Sequence, residues 1–255
     1  MYQIDLNSDL GESFGNYKIG RDDEVIPLIS SANVACGYHA SDPIVMDRTI
    51  RMVKDAGIAA GAHPGFPDLM GFGRRNLAVS PAEAKAYVTY QLGALDAFME
   101  TIGVPMQHVK PHGALYNMAA KDAALSEAIC SAVKEYNPDL IILALSGGEL
   151  EKVSKSMGLR TASEFFADRA YEEDGTLVNR RKEGAIIRDE EEAIARTVRM
   201  VKEKKVRTAS GIDIPMEAHS ICVHGDNEKA LAFVTRIRAS FAENEIAIKP
   251  LREIV

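Results

Sequence analysis

Short apolar runs recur along the chain, and segments with helical signals separate them. Most of these runs lack alternating polar positions, which is typical of parallel strands that are buried on both faces. We predict eight strands, at residues 3–6, 31–35, 58–62, 108–110, 140–145, 162–166, 184–187 and 220–223.

Capping signals mark the helices between these strands. Asp42-Pro43 and Ser80-Pro81-Ala82-Glu83 each combine a capping side chain with a proline in the first helical turn. Glycine follows the expected end of both helices, at Gly57 and Gly103. We predict helices at residues 42–56, 80–102, 122–136, 148–157, 189–205 and 227–242.

Strand and helix alternate from end to end, and right-handed crossovers make such strands parallel. With seven or eight units and no break in composition, a closed barrel is favoured over a doubly wound sheet, which would carry a Gly-x-Gly-x-x-Gly loop. We therefore predict an α/β chain that forms a single (β/α) barrel domain over residues 1–255. Two polar segments, 65–77 and 168–181, leave strand ends, where barrel enzymes build their sites.

The composition narrows the range of partners. The chain has 255 residues, of which 46% are hydrophobic, and a net charge of -7. Without a basic stripe, we expect no nucleic-acid partner. Acids among the first residues and the lack of an apolar run of ~18 residues predict neither a signal peptide nor a membrane span. Three cysteines without paired spacing fit a reduced compartment, so we expect a cytoplasmic protein.

Polar and ionisable residues follow the ends of the predicted strands. Because the carboxyl ends of parallel strands share one rim of a barrel, we expect these side chains to be neighbours in space. They are Asp5, Asn7, Asp9, His39, His63, Asp68, Lys110, His112, Glu164, Asp168, Arg169, His224 and Asp226. Each could be an ordinary turn residue, but Lys110, between an apolar strand and a proline, is poorly placed for exposure. His108 and His219 begin strands and are assigned to structure.

This residue set suits two kinds of chemistry. Imidazoles beside carboxylates serve general acid and base catalysis near neutral pH, and they also bind divalent metals. No His-Glu-x-x-His or Cys-x-x-Cys spacing is present, so the metal question stays open. Lys110, Arg74, Arg75 and Arg169 offer cations for a carboxylate or a phosphate. A Walker A loop is absent, so any nucleotide is held in another way.

Six blocks of sequence, in order along nearly the whole chain, resemble the LamB/YcsF family. They are DLNSDLGESFG (5–15), ANVACGYHASDP (32–43), AGAHPGFPDLMGFGRR (60–75), VKPHGALYN (109–117), SEFFADRAY (163–171) and ICVHGD (221–226). Ser8 departs from the cysteine or alanine expected in many relatives, at a position with no proposed role.

The resemblance implies a barrel related to the glycoside hydrolase and deacetylase group, with seven main strands. It also implies ATP-dependent hydrolysis of 5-oxo-L-proline to L-glutamate, with ATP as co-substrate, by a 5-oxoprolinase in which this chain works with subunits B and C. Which subunit binds ATP, whether a metal is bound and whether the chain forms a homo-oligomer are left open.

Within that framework, we assign hypothetical roles to the rim. Either His63 or His112 is the general base, Asp9 orients it, and Lys110 completes the catalytic set. Lys110 and Arg169 hold the substrate carboxylate or a phosphate. The substrate-binding residues are Asn7, His39, Arg74, Glu164, Asp168, Arg169, His224 and Asp226.

Two rival interpretations remain at this stage. One is a metal-dependent deacetylase or amidohydrolase that needs no ATP, with Zn²⁺ or a similar ion on Asp9, His39 and His63. The other is a non-catalytic subunit that binds the substrate for its partners. The number of ionisable rim residues favours an enzyme.

Overall fold

The computed structural model describes residues 1–179, 182–223 and 228–255. Its strands are β1 (Tyr2–Leu10), β2 (Ser31–Ala35), β3 (Ala59–His63), β4 (Met106–Val109), β5 (Ile141–Leu145), β6 (Thr161–Phe166), β7 (Lys205–Arg207), β8 (Asp213–Pro215), β9 (Ser220–Cys222) and β10 (Ile246–Ile248). Its α-helices are α1 (Asp22–Val25), α2 (Pro43–Ala56), α3 (Pro81–Ile102), α4 (Gly113–Ala119), α5 (Ala123–Tyr136), α6 (Glu149–Ser156), α7 (Glu190–Glu203) and α8 (Glu228–Glu243).

Seven of these strands form a closed parallel barrel. The order is β1-β2-β3-β4-β5-β6-β9, and β9 returns to pair with β1. At the closing seam Asn7 lies beside Cys222, and on the other edge of β9 Glu164 lies beside Ser220. The prediction of a (β/α) barrel with seven main strands is confirmed.

One predicted strand is wrong. Among the described residues, 184–187 have no ladder partner, and Ile186 makes an isolated bridge to Arg169. The apolar character of this segment serves a small satellite cluster instead, in which Ala185 packs with Ala170 and Val178. Ile186 itself is 43% exposed, so this run never enters the barrel wall.

Three short strands were not predicted. β7 and β8 form an antiparallel hairpin with Val206 opposite Ile214. β10 pairs in parallel with the beginning of β1, where Tyr2 lies beside Ile246. Each of the three is only three residues long, which is too short to show a period in sequence.

The capped helices form as predicted. Asp42 accepts hydrogen bonds from the backbone of Ile44 and Val45, both at 2.9 Å. Ser80 and Glu83 form the reciprocal capping box at the start of α3. These caps satisfy N–H groups that the first helical turn cannot pair internally. The predicted helix start at Asn227 lies outside the described residues.

Within the described ranges, no helix combines the length and the apolar character that crossing a bilayer requires.

The barrel interior is polar along β1. Side chains alternate between the two faces of a strand, so Leu6 and Leu10 pack in the apolar core, while residues 5, 7 and 9 face the other way. Asn7 there donates to Glu164 of β6 at 3.0 Å, which is a contact across the barrel interior. This inward row carries polar groups from the floor of the barrel to its mouth.

Candidate active site

Three histidines from separate strand ends and loops meet at the mouth of the barrel. The rings of His39 and His112 stack in parallel with centroids 3.6 Å apart. His63, the last residue of β3, is edge-on to both, at 4.8 Å from His112 and 5.4 Å from His39. All three are buried. The common strand ends therefore bring together imidazoles that are far apart in sequence.

Backbone carbonyls fix the orientation of two of these rings. His63 Nδ1 lies 2.7 Å from the Lys110 carbonyl, and His112 Nε2 lies 2.9 Å from the Phe72 carbonyl. A carbonyl oxygen only accepts, so each of these nitrogens carries the hydrogen. The remaining nitrogens, His63 Nε2 and His112 Nδ1, face each other at 2.9 Å. Two neutral rings would thus direct lone pairs at each other, and this gap requires a shared proton or a cation.

Carboxylates surround this imidazole pair. Asp9 Oδ2 lies 3.3 Å from His63 Nε2. Glu12 Oε1 lies 3.0 Å from His39 Nε2 and 3.5 Å from His112 Nδ1. Burial, together with the nearby charges of His39 and His63, holds the pKa of His112 well below its ordinary value. The ring of His112 is therefore kept neutral by its surroundings.

Glu12 was not among the predicted site residues. It follows Gly11, whose φ of +69° ends the first strand, and the sequence gives no sign of where the chain then turns. Burial and the neighbouring Asp9 raise the pKa of the Glu12 carboxyl. The acid directly after Asp9-Leu10-Gly11 was the available signal, and the first strand was predicted too short to place it at the mouth.

Lys110 is the central cation of the site. Its ammonium nitrogen lies 2.8 Å from Glu164 Oε1, 3.1 Å from Asp9 Oδ1 and 3.0 Å from Asn7 Oδ1. It also contacts Cys222 Sγ at 3.3 Å. Burial alone would lower the pKa of Lys110, but the charges of Asp9, Cys222 and Glu164 raise it well above the ordinary value. Lys110 is therefore a fixed positive charge.

The Asp9 carboxyl is in turn stabilised as an anion by its neighbours. Burial alone would raise the pKa of this carboxyl, but His63 and Lys110 hold it well below its usual range. Asn33 adds a hydrogen bond from Nδ2 to Asp9 Oδ1 at 2.8 Å. Asp9 is therefore an anion that keeps partial contact with the cavity, since its side chain is 20% exposed.

Glu164 is buried and oriented from three sides. Asn7 donates to Oε1 at 3.0 Å, Lys110 contacts the same oxygen, and the Tyr116 hydroxyl donates to Oε2 at 2.6 Å. Burial and the adjacent Glu164 raise the pKa of Tyr116 well above its ordinary value, so the hydroxyl keeps its proton. Tyr116 and Cys222 were not predicted, because these contacts depend on how α4 and β9 pack.

The loop after β3 carries Arg74 to the mouth. Gly73, with φ of +61°, packs so closely that a Cβ there would lie 2.6 Å from the Cβ of His39. Its carbonyl accepts a hydrogen bond from Ala114 N at 2.9 Å. Arg74 is exposed, and its guanidinium lies over the Phe72 ring at 5.1 Å. Arg74 is thus a cation at the edge of the site.

Two cavities flank the Asp9 carboxylate. One, of about 200 Å³, is lined by Asp9, His63, Arg74, Lys110, Pro111, His112, Gly113, Ala114, Tyr116, Asn117, Phe166, Arg169 and Leu177. The other, of about 130 Å³, is lined by Asp9, Leu10, Glu12, Ile19, Gly20, Asp22, Val25, Phe72, Arg74 and His112. The lysine, the imidazole pair and two arginines all border the larger cavity, which makes it suitable for a small polar ligand.

Several predicted residues have structural partners. Asp68 forms an ion pair with Arg75 and caps a 3₁₀ turn through Gly71 N at 3.0 Å. Arg169 lines the larger cavity, but it also donates to the Val178 carbonyl at 2.6 Å and so ties the 168–187 segment together. Asp168 is half-buried, and its carbonyl accepts from Ile187 N at 2.8 Å.

Two further predicted positions, His224 and Asp226, lie outside the described residues.

The barrel interior below the mouth holds the structural histidine. His108 Nε2 lies 2.7 Å from Asn33 Oδ1, and burial lowers the pKa of His108 to about 3. A Cβ on Gly61 would lie 2.4 Å from this ring. His108 is thus a neutral side chain that packs in the barrel interior. Asp5, predicted at the rim, lies below it, hydrogen-bonded to Ser30 and Ser31 at 2.7 and 2.6 Å.

A parallel barrel with imidazoles, carboxylates and a buried lysine at its strand ends is typical of enzymes of the (β/α) barrel class. The family model described as LamB/YcsF family matches residues 4–255. The chain therefore belongs to the LamB/YcsF family.

Curated relatives match nearly the whole length of this chain. The chain is 62% identical over 254 residues to a protein of Clostridium beijerinckii that is named as the A subunit of 5-oxoprolinase, with 100% of both chains covered. It is 57% identical to the protein of the same name from Alkaliphilus metalliredigens, with 97% of each covered.

Solved structures agree with the fold. The lactam utilization protein from Thermus thermophilus is 43% identical with a TM-score of 0.93, covering 97% of this chain and 99% of that one. A family 4 carbohydrate esterase from Streptomyces lividans has a TM-score of 0.50 at 11% identity, with 97% and 91% covered. The esterase shares the barrel fold alone.

Proposed function

We propose that this chain is the A subunit of a 5-oxoprolinase and opens the ring of 5-oxo-L-proline to give L-glutamate, with ATP as co-substrate and two further subunits, B and C, as partners. The names of the relatives at 62% and 57% identity support the substrate and the assembly. The arrangement in the site that supports it most is the larger cavity, where Lys110, Asp9 and the His63–His112 pair share one wall.

A lactam needs activation before water can open it. Amide resonance makes the carbonyl carbon a poor electrophile. A rotational barrier of ~18–20 kcal/mol about the peptide C–N bond shows how strong this resonance is. Transfer of the ATP γ-phosphoryl group to the lactam oxygen removes much of that resonance. Water then attacks the carbon, the C–N bond breaks and the ring nitrogen takes a proton, which leaves the new carboxyl group as an acyl phosphate. A second water hydrolyses this acyl phosphate to L-glutamate and phosphate.

The imidazole pair is placed to accept the proton of the attacking water. Both lone pairs in the gap between His63 and His112 lie beside the Asp9 carboxylate. His63 is held by the Lys110 carbonyl, so its Nε2 is the acceptor. We assign His63 or His112 as general base, with Asp9 stabilising the imidazolium that forms.

The cations serve the negative groups of the reactants. Arg74 lines both cavities and is exposed, so it is the best placed to bind the substrate carboxylate or a phosphate. Lys110 supplies positive charge at the cavity wall, where charge develops on the oxygen of the reacting carbonyl. Arg169 contributes charge to the same cavity while it holds the loop. Asn7 and Glu164 keep Lys110 in position rather than contacting the substrate.

Reconstitution tests the proposal. Glutamate release from 5-oxoproline should require ATP, this chain and both other subunits, and His63→Ala should lower turnover by on the order of 100-fold or more, the usual contribution of a general base. His219→Ala, at the opposite end of the barrel, is the matched control and should retain turnover.

Two outcomes would replace this proposal. Hydrolysis of an amide or acetyl substrate by the isolated chain without nucleotide would favour a metal-dependent hydrolase. Full activity of the His63→Ala assembly would favour a subunit that only binds the substrate.

A further inference from the structure

We infer that Glu12, His39, His63 and His112 form a binding site for one divalent transition-metal ion of the zinc class. One candidate ligand atom from each residue lies within 4.8 Å of the others. The nearest pairs are 2.9 Å for His63 Nε2 and His112 Nδ1, and 3.0 Å for His39 Nε2 and Glu12 Oε1. Zinc bonds of about 2.0–2.1 Å in a tetrahedron separate ligand atoms by about 3.3 Å, so these spacings suit a shared ion.

The facing nitrogens carry the inference. Phe72 and Lys110 carbonyls take the N–H of His112 and His63, which leaves two lone pairs 2.9 Å apart. Two lone pairs at this distance repel unless a positive centre lies between or beside them. A metal ion coordinated by both nitrogens removes the repulsion.

The same carbonyl contacts match the surroundings of metal-bound histidines. Histidines that ligate metals almost always donate their other ring N–H to a carbonyl, a carboxylate or water, which fixes the tautomer and the ring. His63 and His112 both show this anchoring. In contrast, Nε2 of His108, the buried histidine of the barrel interior, is hydrogen-bonded to the amide oxygen of Asn33. His63 and His112 are thus oriented as ligands, and His108 is not.

The charge around the site favours a cation. Glu12 and Asp9 bring two carboxylates to the same gap, with side chains that are 15% and 20% exposed. Lys110 compensates Asp9, but within the described ranges no ion pair joins Lys110 to Glu12. Three imidazoles and one carboxylate suit zinc, cobalt, nickel or iron, whereas magnesium and calcium prefer all-oxygen sites.

This inference does not depend on the proposed reaction. A bound ion and a shared proton are alternative occupants of the same gap. When the ion is present, it supplies Lewis-acid polarisation of a carbonyl or water, and His63 and His112 are ligands rather than bases. Among the described residues, Asp9, which lies beside His63 and lines both cavities, is then placed to accept a proton.

Metal binding by the full chain, without substrate or nucleotide, tests the site. Protein stripped with a chelator and dialysed is titrated with Zn²⁺, and separately with Co²⁺ and Mg²⁺. We expect one equivalent of zinc by elemental analysis, and the intense visible absorption of four- or five-coordinate Co²⁺. Magnesium should neither bind nor displace the cobalt.

Variants locate the ion. Glu12→Gln and His39→Gln keep side-chain size, and each should weaken zinc affinity by more than the about 10- to 100-fold that outer-shell partners contribute. His219→Gln changes a histidine far from the mouth and should bind like the unaltered chain. Far-UV circular dichroism checks that each variant is folded.

Less than a fifth of an equivalent of zinc on the unaltered protein at about 100 μM free metal, well above the micromolar range of a specific site, would overturn the inference. So would Glu12→Gln and His39→Gln proteins that bind zinc as tightly as the His219→Gln control. Neither result bears on glutamate release by the reconstituted assembly, so the two proposals fail separately.

Discussion

Asp5 and Asp9 lie four residues apart on β1 and face the same barrel interior, but their surroundings differ. Asp5 is fully buried, and its oxygens accept hydrogen bonds from the hydroxyls of Ser30, Ser31 and Ser220. Burial raises its pKa to about 6, because three neutral donors only partly offset the loss of water.

Asp9 is surrounded by Lys110, His63 and Asn33, and its pKa is held well below the ordinary value. It also borders two cavities, whereas Asp5 borders neither. A carboxyl group that is only buried and hydrogen-bonded, as at Asp5, serves the structure of the barrel. A carboxylate that also has a neighbouring cation and access to a cavity, as at Asp9, is suitable for chemistry.

Removing the Lys110 cation should have the largest effect on stability, because it gives Asp9 the uncompensated burial that distinguishes Asp5. Lys110→Met leaves Asp9 and Glu164 buried without compensation, and we expect a loss of about 3–5 kcal/mol in the free energy of unfolding at pH 7. Denaturant titration measures it. Lys85→Met, in an ion pair with Glu135 where the lysine side chain is 38% exposed, should cost less than about 1 kcal/mol. Similar losses for both variants would mean that Lys110 is not the compensating charge.

The Asp5 carboxyl should make the chain less stable as the pH rises, which is opposite in sign to the effect of Asp9, and changing Asp5 should remove this contribution. Its folded-state pKa of about 6 lies above the ordinary 3.8, so folding favours the protonated acid. That stabilisation is complete below about pH 4 and is lost as the pH rises through about 6, a difference of about 3 kcal/mol. Asp5→Asn has no such titration.

The measurement is the free energy of unfolding of both proteins between pH 4 and pH 7. The advantage of the wild-type chain over Asp5→Asn should shrink by about 2 kcal/mol across this range, since the rest of the difference lies below pH 4. Parallel curves would show that the three serines stabilise the Asp5 carboxylate as well as water does.

The smallest loss of stability is expected at Tyr116, which contacts the Lys110–Glu164 ion pair from one side. Tyr116→Phe removes the hydroxyl that donates to Glu164 at 2.6 Å, and should cost about 1–2 kcal/mol of stability. Tyr90→Phe, at a 60% exposed tyrosine, is the control and should have no measurable effect. If Tyr116→Phe were equally silent, Asn7 and Lys110 alone would suffice to hold Glu164.

The fold was largely predictable because its strands are buried on both faces. All seven barrel strands overlap predicted ones, since uninterrupted apolar runs between capped helices leave few alternatives. β1 was predicted four residues too short at its carboxyl end, because Asn7 and Asp9 were taken to follow the strand. In a barrel with a polar interior, inward positions of a strand are polar, and they resemble the start of a loop.

The site was predictable only in part, for the same reason. Asp9, His63, Lys110 and His112 follow or end apolar strands, and the rim of a parallel barrel brings them together. Glu12 and Tyr116 were missed because their positions depend on a turn at Gly11 and on the packing of α4. Neither is encoded in a local period, and both need the assembled barrel.

The contact between Gly73 and the segment at Gly113 has a consequence for how the mouth responds to a ligand. A Cβ on Gly113 would lie 2.7 Å from the Gly73 carbonyl, and the next amide, Ala114 N, bonds to that carbonyl. The loops after β3 and β4 are therefore joined at one peptide group. Arg74 follows Gly73 and His112 precedes Gly113, so we expect an anion that moves Arg74 to displace the ring of His112 as well.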